Sequence, residues 1–368
     1  MRNTKLLISV FLLLFVSATA YSQSSAVELP GTHVLKFKSV INNQDYVLNI
    51  QLPGSYGSDT TRKYPVLYML DGQWSFPVLR GIQGGLYYDG FVPEMILVGI
   101  TWPDNYDANR NRDFSPTHIK EDSTSGGGSK FLNVIKEEVL RLVDSTYRTD
   151  PNNNMLTGGS YGGLFALYVV FHEPALFKHY IIGSPSLDYD DAVTFKFEKE
   201  YAARHRQLNA RLFITSSEYE EEVDQTDYFN KLIKQIKAHN YKGLEMESLV
   251  VPKMSHASSG PYAWARGLQF IFRKPEVKTD TSLLDQFTGR YKLFNDTITI
   301  TRTGNALYLN FMRGKVLMAK PRLYAETGER FYTKGIQGTL QFKKDNKGKV
   351  TGFDLVQNNN SMYLNKID

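Results

Sequence analysis

Met155-Leu156-Thr157-Gly158-Gly159-Ser160-Tyr161-Gly162-Gly163 is the stretch that decides how this chain folds. Met155 and Leu156 read as the end of a buried strand, Gly158 to Gly162 spell G-x-S-x-G, and an apolar helical pattern runs from Leu164 to Phe171. Strand, sharp turn, serine and helix together make a nucleophile elbow. Holding a serine on such a turn forces its backbone into a strained region and crowds the two segments. Residues without Cβ two positions before and after it, Gly158 and Gly162, remove the clash. The helix N-terminus beyond Ser160 also offers free N–H groups where negative charge develops in acyl transfer. With 28 glycines in the chain, the competing reading is a glycine-rich turn with an incidental serine. The flanking strand and helix, and partners downstream in the right order, decide against it.

Outward from the elbow, the pattern is that of a layered sheet. Val34–Val40 and Tyr46–Leu52, separated by Asn42-Asn43-Gln44-Asp45, predict a β-hairpin. Val66–Leu70, Met95–Ile100 and Met155–Thr157 have strand length, as do Tyr180–Ile182, Leu212–Thr215 and Leu244–Val251. Helical spacing appears between several of them, at Phe131–Val143 and at Tyr228–His239. Eight strands with interleaved helices predict an α/β fold, mostly parallel, over residues 21–272. Residues 273–282 are charged, proline-bearing and aperiodic, and read as a linker. From 283 to 368 the apolar runs are short, alternating and separated by turn clusters such as Thr303-Gly304-Asn305. They predict a small all-β domain, barrel or sandwich, that packs against the first domain or binds substrate.

Composition narrows the function. Arg2 and Lys5 precede an apolar run, Leu6–Val16, and Ala18-Thr19-Ala20 fits a small-residue cleavage site, so residues 1–20 read as a signal peptide. The run is short for a membrane span, which predicts a periplasmic or secreted protein without stable membrane insertion. Losing Arg2 and Lys5 lowers the formal charge from +5 to +3, too little to argue for nucleic acid as a partner. The absence of cysteine excludes a disulfide scaffold and every thiolate-based site.

A serine hydroxyl needs a base within hydrogen-bond reach. In an α/β hydrolase the acid and then the histidine follow the serine in the chain, which removes His33 and His118. His172 and His179 lie on or just after the elbow helix, on the wrong side of the sheet edge, His205 precedes the seventh strand, and His239 sits at a helix C-terminus, where the dipole accounts for it. His256 remains, in the loop between the eighth strand and the helix Tyr262–Phe272. The acid belongs after the seventh strand, in Thr215-Ser216-Ser217-Glu218-Tyr219-Glu220, where Glu218 and Glu220 are both candidates. In an extended segment the two would point to the same side. The oxyanion needs two preorganised donors. One is the N–H of Tyr161, and the other is expected from Leu70-Asp71-Gly72-Gln73-Trp74, as the Gln73 N–H.

Residues from about Gly31 to Phe272 resemble the putative-esterase family of α/β hydrolases. The resemblance is carried by Tyr68-Met69-Leu70-Asp71-Gly72-Gln73, Val98-Gly99-Ile100, Arg112-Asp113-Phe114-Ser115-Pro116, the elbow, Ile182-Gly183-Ser184-Pro185-Ser186 and Ser255-His256. That family includes enterochelin-type siderophore esterases, feruloyl and acetyl esterases, S-formylglutathione hydrolases and mycolyltransferases. The resemblance implies Ser160 as nucleophile and His256 as base. It puts the acid on Glu220, although Ser217 stands where the family's acid pattern has glycine. The implied activity is that of an exported serine carboxylic-ester hydrolase needing no metal or organic cofactor. Its substrate would be a feruloyl or acetyl ester on a polysaccharide, or a small-molecule siderophore trilactone. Trp74 and Arg112 are expected to line the site, against the readings that Trp74 only packs and Arg112 only pairs with Asp113. An acyltransferase of the same fold and a non-catalytic binding protein on a hydrolase scaffold are the rival readings.

Overall fold

The computed structural model describes residues 28–368 except 224, 279, 314–315 and 358–359, so the expected signal peptide lies outside the described residues. The predicted hairpin is β1 (Thr32–Lys38) and β2 (Asp45–Gln51), antiparallel with Thr32 opposite Gln51. Next come β3 (Tyr64–Met69), helix α1 (Gly72–Tyr88), β4 (Ile96–Thr101), α2 (Tyr106–Phe114), α3 (Gly128–Val134) and α4 (Leu140–Thr146). The chain continues through β5 (Thr149–Ser160), α5 (Tyr161–His172), β6 (His179–Pro185), α6 (Tyr189–Arg204) and β7 (Gln207–Ser217). It ends this part with α7 (Gln225–His239), β8 (Lys242–Val251) and α8 (Gly260–Ile271). The sheet order is β1-β2-β4-β3-β5-β6-β7-β8, and every pairing from β4 to β8 is parallel.

Alternation along the strands assigns each core residue to a face. Tyr68, Val98, Leu156, Ile182 and Ile214 belong to the large cluster that includes α5. The intervening residues face the other way, where a Cβ on Gly267 of α8 would lie 2.7 Å from Ile181. Helices therefore cover both faces, which is why β3 and β4 read as near-continuous apolar runs.

Three helices are silent in the sequence. Helix α1 carries Pro77, Gly81, Gly84 and Gly85, a composition that reads as loop. Helix α2 buries only Asp113 and Phe114 and so has no apolar stripe. Helix α6 contains three residues with positive φ, Asp190 to Ala192, which break its periodicity. The single helix expected over Phe131–Val143 is α3 and α4 joined by a π-helical turn at Ile135–Val139.

After α8, a short helix α9 (Thr281–Leu284) leads into nine antiparallel strands, β9 (Gly289–Leu293), β10 (Asp296–Thr303), β11 (Ala306–Arg313), β12 (Val316–Ala319), β13 (Arg322–Ala325), β14 (Arg330–Tyr332), β15 (Thr339–Lys344), β16 (Val350–Gln357) and β17 (Asn360–Asn365). A bridge between Tyr291 and Lys366 and the Ile367 N–H on the Arg290 carbonyl close β17 onto β9, making a barrel. Its core of Phe287, Tyr291, Phe342 and Phe353 shares no residue with the core of the sheet. A chain ending at Lys274 should therefore remain folded and cooperative in thermal unfolding. Insoluble protein would show instead that the barrel covers apolar surface the sheet cannot expose.

The barrel meets the sheet at the end where the parallel strands begin. Gly90 (φ +79°) lies so close that a Cβ there would be 2.9 Å from Gln337 Cα, and the Tyr332 hydroxyl donates to the Lys274 carbonyl at 3.4 Å. Gly90 precedes β4, whereas Ser160 ends β5, so barrel and serine occupy opposite ends of the sheet. Of the two expected roles for this domain, packing is the one the contacts display.

Candidate active site

Ser160 is the last residue of β5 and stands at the N-cap position of α5 without a side-chain capping bond, with φ 57° and ψ −122°. That conformation is costly for a residue with a Cβ, and the surrounding glycines show how it is maintained. A Cβ on Gly158 would lie 2.4 Å from the Gly162 carbonyl oxygen, and one on Gly163 would lie 2.9 Å from Pro185 Cα. At Gly162 the nearest atoms would be 3.4 Å away, an ordinary contact. The crowded positions are thus −2 and +3, not −2 and +2 as the motif suggested. Gly158→Ala should lower thermal stability by about 1–3 kcal/mol. Moving the serine by even 1 Å should cut turnover roughly 10²-fold. Gly162→Ala should do less in both measurements, and equal effects would show that the clash at Gly158 relaxes freely.

Glu220 lies beyond β7 in a 3₁₀ turn, Glu218–Val223. That turn corrects the expectation of an extended segment. With about three residues per turn, residues two apart diverge instead of sharing a side. Glu220 turns inward and is 5% exposed, while Glu218 faces solvent. The Glu220 Oε1 takes a hydrogen bond from His256 Nδ1. Its Oε2 accepts from the Ser184 hydroxyl at 2.8 Å, the Ser217 N–H at 2.7 Å and the Ser216 hydroxyl at 3.0 Å. Burial pushes this carboxyl up, but the hydrogen bonds from His256, Ser184, Ser217 and Ser216 outweigh it and hold its pKa below the ordinary value of 4.5. An ionised carboxylate only accepts, so His256 Nδ1 carries the proton and Nε2 is left for the cleft.

Glu218 is bound elsewhere. Its Oε2 accepts the Lys253 N–H at 2.5 Å, and the Tyr219 N–H donates to the Met254 carbonyl at 3.1 Å. Both bonds tie the turn after β7 to the loop that carries His256.

Ser160 and His256 line one cleft of about 400 Å³, together with Trp74, Arg110, Ser184 and Trp264. The Ser160 hydroxyl is 3.4 Å from that of Ser186, and no hydrogen bond joins it to His256. Tyr161 and Gln73 occupy the first turns of α5 and α1, where amides have no acceptor within the helix. The Gln73 side chain points elsewhere, its Oε1 accepting from the Thr101 hydroxyl at 2.7 Å. Trp74 is 55% exposed at the cleft.

Arg112 is not brought to the cleft. It binds Asp113 through two nitrogens at 2.8 and 2.9 Å, and also Gln44 and Asn109. The arginine in the cleft is Arg110, which α2 turns some 200° away from Arg112. Its guanidinium is clamped by Asp71 at 2.8 and 3.1 Å, reaches the Gly159 carbonyl at 3.3 Å, and lies 5.5 Å from the Tyr161 ring centre. Burial raises the Asp71 pKa against the pull of Arg110. Sequence reading missed Arg110, Asp71, Ser184 and Trp264. The available signal was that Asp71 and Ser184 fall within the motifs shared with the family, while Arg110 stands one residue from Asn111-Arg112 in a helix without periodicity.

Residues 39–252 match the family described as putative esterase, and residues 273–366 match a domain of unknown function (DUF3471). The ferri-bacillibactin esterase BesA of Bacillus subtilis is 26% identical over 266 residues, spanning 67% of this chain and 91% of that protein. Among solved structures, the BES protein from Bacillus cereus superposes with a TM-score of 0.61 at 24% identity, covering 68% of this chain and 97% of its own. Siderophore hydrolase EstB from Aspergillus nidulans gives 0.60 at 20% identity, covering 67% and 96%. These likenesses show the α/β-hydrolase fold, to which the antiparallel barrel is appended. No helix among the described residues is long and apolar enough to cross a membrane.

Proposed function

Because the chain belongs to the putative-esterase family, we propose that it is an exported serine hydrolase that cleaves siderophore-type carboxylic esters through an acyl-enzyme. The observation that carries this reading is the buried Glu220 bound to His256 Nδ1 in the cleft that also holds Ser160. In the first step Ser160 Oγ attacks the ester carbonyl and its proton passes to His256 Nε2. The amides of Tyr161 and Gln73 stabilise the oxyanion. Collapse of the tetrahedral intermediate expels the alcohol, which takes the proton from His256. A water then repeats the sequence on the acyl-enzyme, releasing the acid and restoring Ser160. Glu220 keeps the imidazole in the required tautomer and stabilises its cation.

Two points favour a siderophore ester over a feruloyl or acetyl polysaccharide ester. The curated relative with 91% of its length matched is named as a ferri-bacillibactin esterase. The cleft is also lined by two tryptophans, Trp74 and Trp264, a lining that suits aromatic acyl groups. The amino-terminal residues, with Arg2 and Lys5 ahead of Leu6–Val16, support export. The test is a panel of catecholate trilactone, apo and ferric, with feruloyl esters and acetylated xylan. Trilactone should be hydrolysed with the highest kcat/KM. Faster cleavage of feruloyl or acetyl esters would move the substrate to polysaccharide, and no cleavage of any ester would leave a binding protein.

A further inference from the structure

We infer that the carboxy-terminal barrel carries a second ligand site, remote from Ser160, that takes a single-chain anionic amphiphile. The barrel interior opens into a cavity of about 290 Å³ walled by Leu309, Phe311, Ala319, Ile336, Leu340 and Leu355. No charged side chain among the described residues lines it. Open to solvent, it leaves an apolar wall in contact with water, and a ligand that covers that wall gains the free energy of burying it. It is near the lower end of the range for small-molecule sites, and the mouth of a barrel is a common place for one.

Besides Gln357, the polar lining of this cavity is the turn between β14 and β15, with Thr333, Gln337 and Gly338. The same three residues wall a second cavity of about 470 Å³ between barrel and sheet, which also presents Arg62, Glu94, Lys274 and Arg330. Arg62 is paired with Glu94 at 3.0 Å, and Arg330 with Glu326 at 3.0 Å. Lys274 has no carboxylate partner among the described residues. Its ammonium lies 5.0 Å from the centre of the Tyr332 ring. An apolar chamber and a chamber with one uncompensated cation thus share one wall. A ligand matching both has an aliphatic chain in the barrel and a carboxylate or similar anion at Lys274. The chamber has an apolar lip as well. Val316, Leu317 and Met318 of β12 are 61%, 49% and 53% exposed and lead directly to Ala319 in the wall.

Calorimetric titration of the full-length protein with dodecanoate tests this site. Saturable one-to-one binding is expected, tightening about three- to fourfold per methylene from octanoate to dodecanoate. Dodecanol should bind at least tenfold more weakly than dodecanoate. Ala319→Phe, which fills the chamber, and Lys274→Glu should each weaken dodecanoate at least tenfold, while Trp74→Ala in the Ser160 cleft should leave it unchanged. The exposed Lys274→Glu change keeps the test valid if Ala319→Phe disturbs the barrel. Lack of saturable binding, binding that Lys274→Glu leaves intact, or binding lost with Trp74→Ala would overturn the inference. These outcomes do not depend on whether Ser160 hydrolyses esters.

Discussion

Replacing Ser160 by alanine should lower ester turnover by about 10⁴–10⁶-fold and leave the protein folded. Ser186 offers the nearest other hydroxyl, 3.4 Å away, but it is not among the residues that line the cleft with His256. What survives should be the catalysis owed to binding and oxyanion donors alone, about 10³–10⁴ over water. The fold should not suffer. The φ of 57° at Ser160 is strained for serine and equally strained for alanine, and the hydroxyl makes a single long hydrogen bond. The comparison is made by steady-state turnover of a chromogenic short-chain ester beside thermal unfolding of both proteins. Near-wild-type turnover in the folded variant would remove Ser160 from the mechanism and bring Ser186 forward.

Glu220→Gln should cost about 10⁴ in kcat, the loss seen when the acid of such a site is made neutral and the imidazole tautomer is no longer imposed. The amide can donate where the carboxylate only accepted, so it competes with Ser184, Ser217 and His256 for one small buried space. Glu218→Gln should change kcat little, because a glutamine oxygen can still accept the Lys253 N–H. The reverse ranking would give the role to Glu218. Mild effects from both would mean that serine and histidine suffice.

The same carboxylate sets an acid limb of stability. Its folded pKa lies below 4.5, so its contribution is full above that value and fades as the pH falls through the folded pKa. Below about pH 4.5, wild-type stability should therefore drop more steeply than that of Glu220→Gln in denaturant titrations at stepped pH. Parallel acid limbs would show that Glu220 is no more stabilised in the folded state than in the unfolded chain.

Several features were fixed by local signals and could be read from the chain alone. The glycine spacing around Ser160 predicts a strand-to-helix turn, and the structure has β5, a strained serine and α5 there. Apolar runs of strand length, buried on both faces, mark the central strands, and the loss of helical period after residue 273 marks the start of the barrel. These succeed because period, turn chemistry and burial act over a few neighbouring residues.

Tertiary structure decided which side chains meet. Glu218 and Glu220 are equivalent in an extended segment, and only the 3₁₀ turn after β7 sends one to His256 and the other to the Lys253 amide. Arg110 and Arg112 are indistinguishable in composition, and α2, which has no apolar stripe to announce it, turns one to Asp71 in the cleft and the other to Asp113. Gly163 is needed only because Pro185 of β6, distant in sequence, passes beside it. The barrel at the strand end opposite Ser160 likewise brings together residues far apart in the chain, Gly90 and Gln337. Each of these outcomes depends on a contact between residues far apart in the chain, and periodicity carries no record of such contacts.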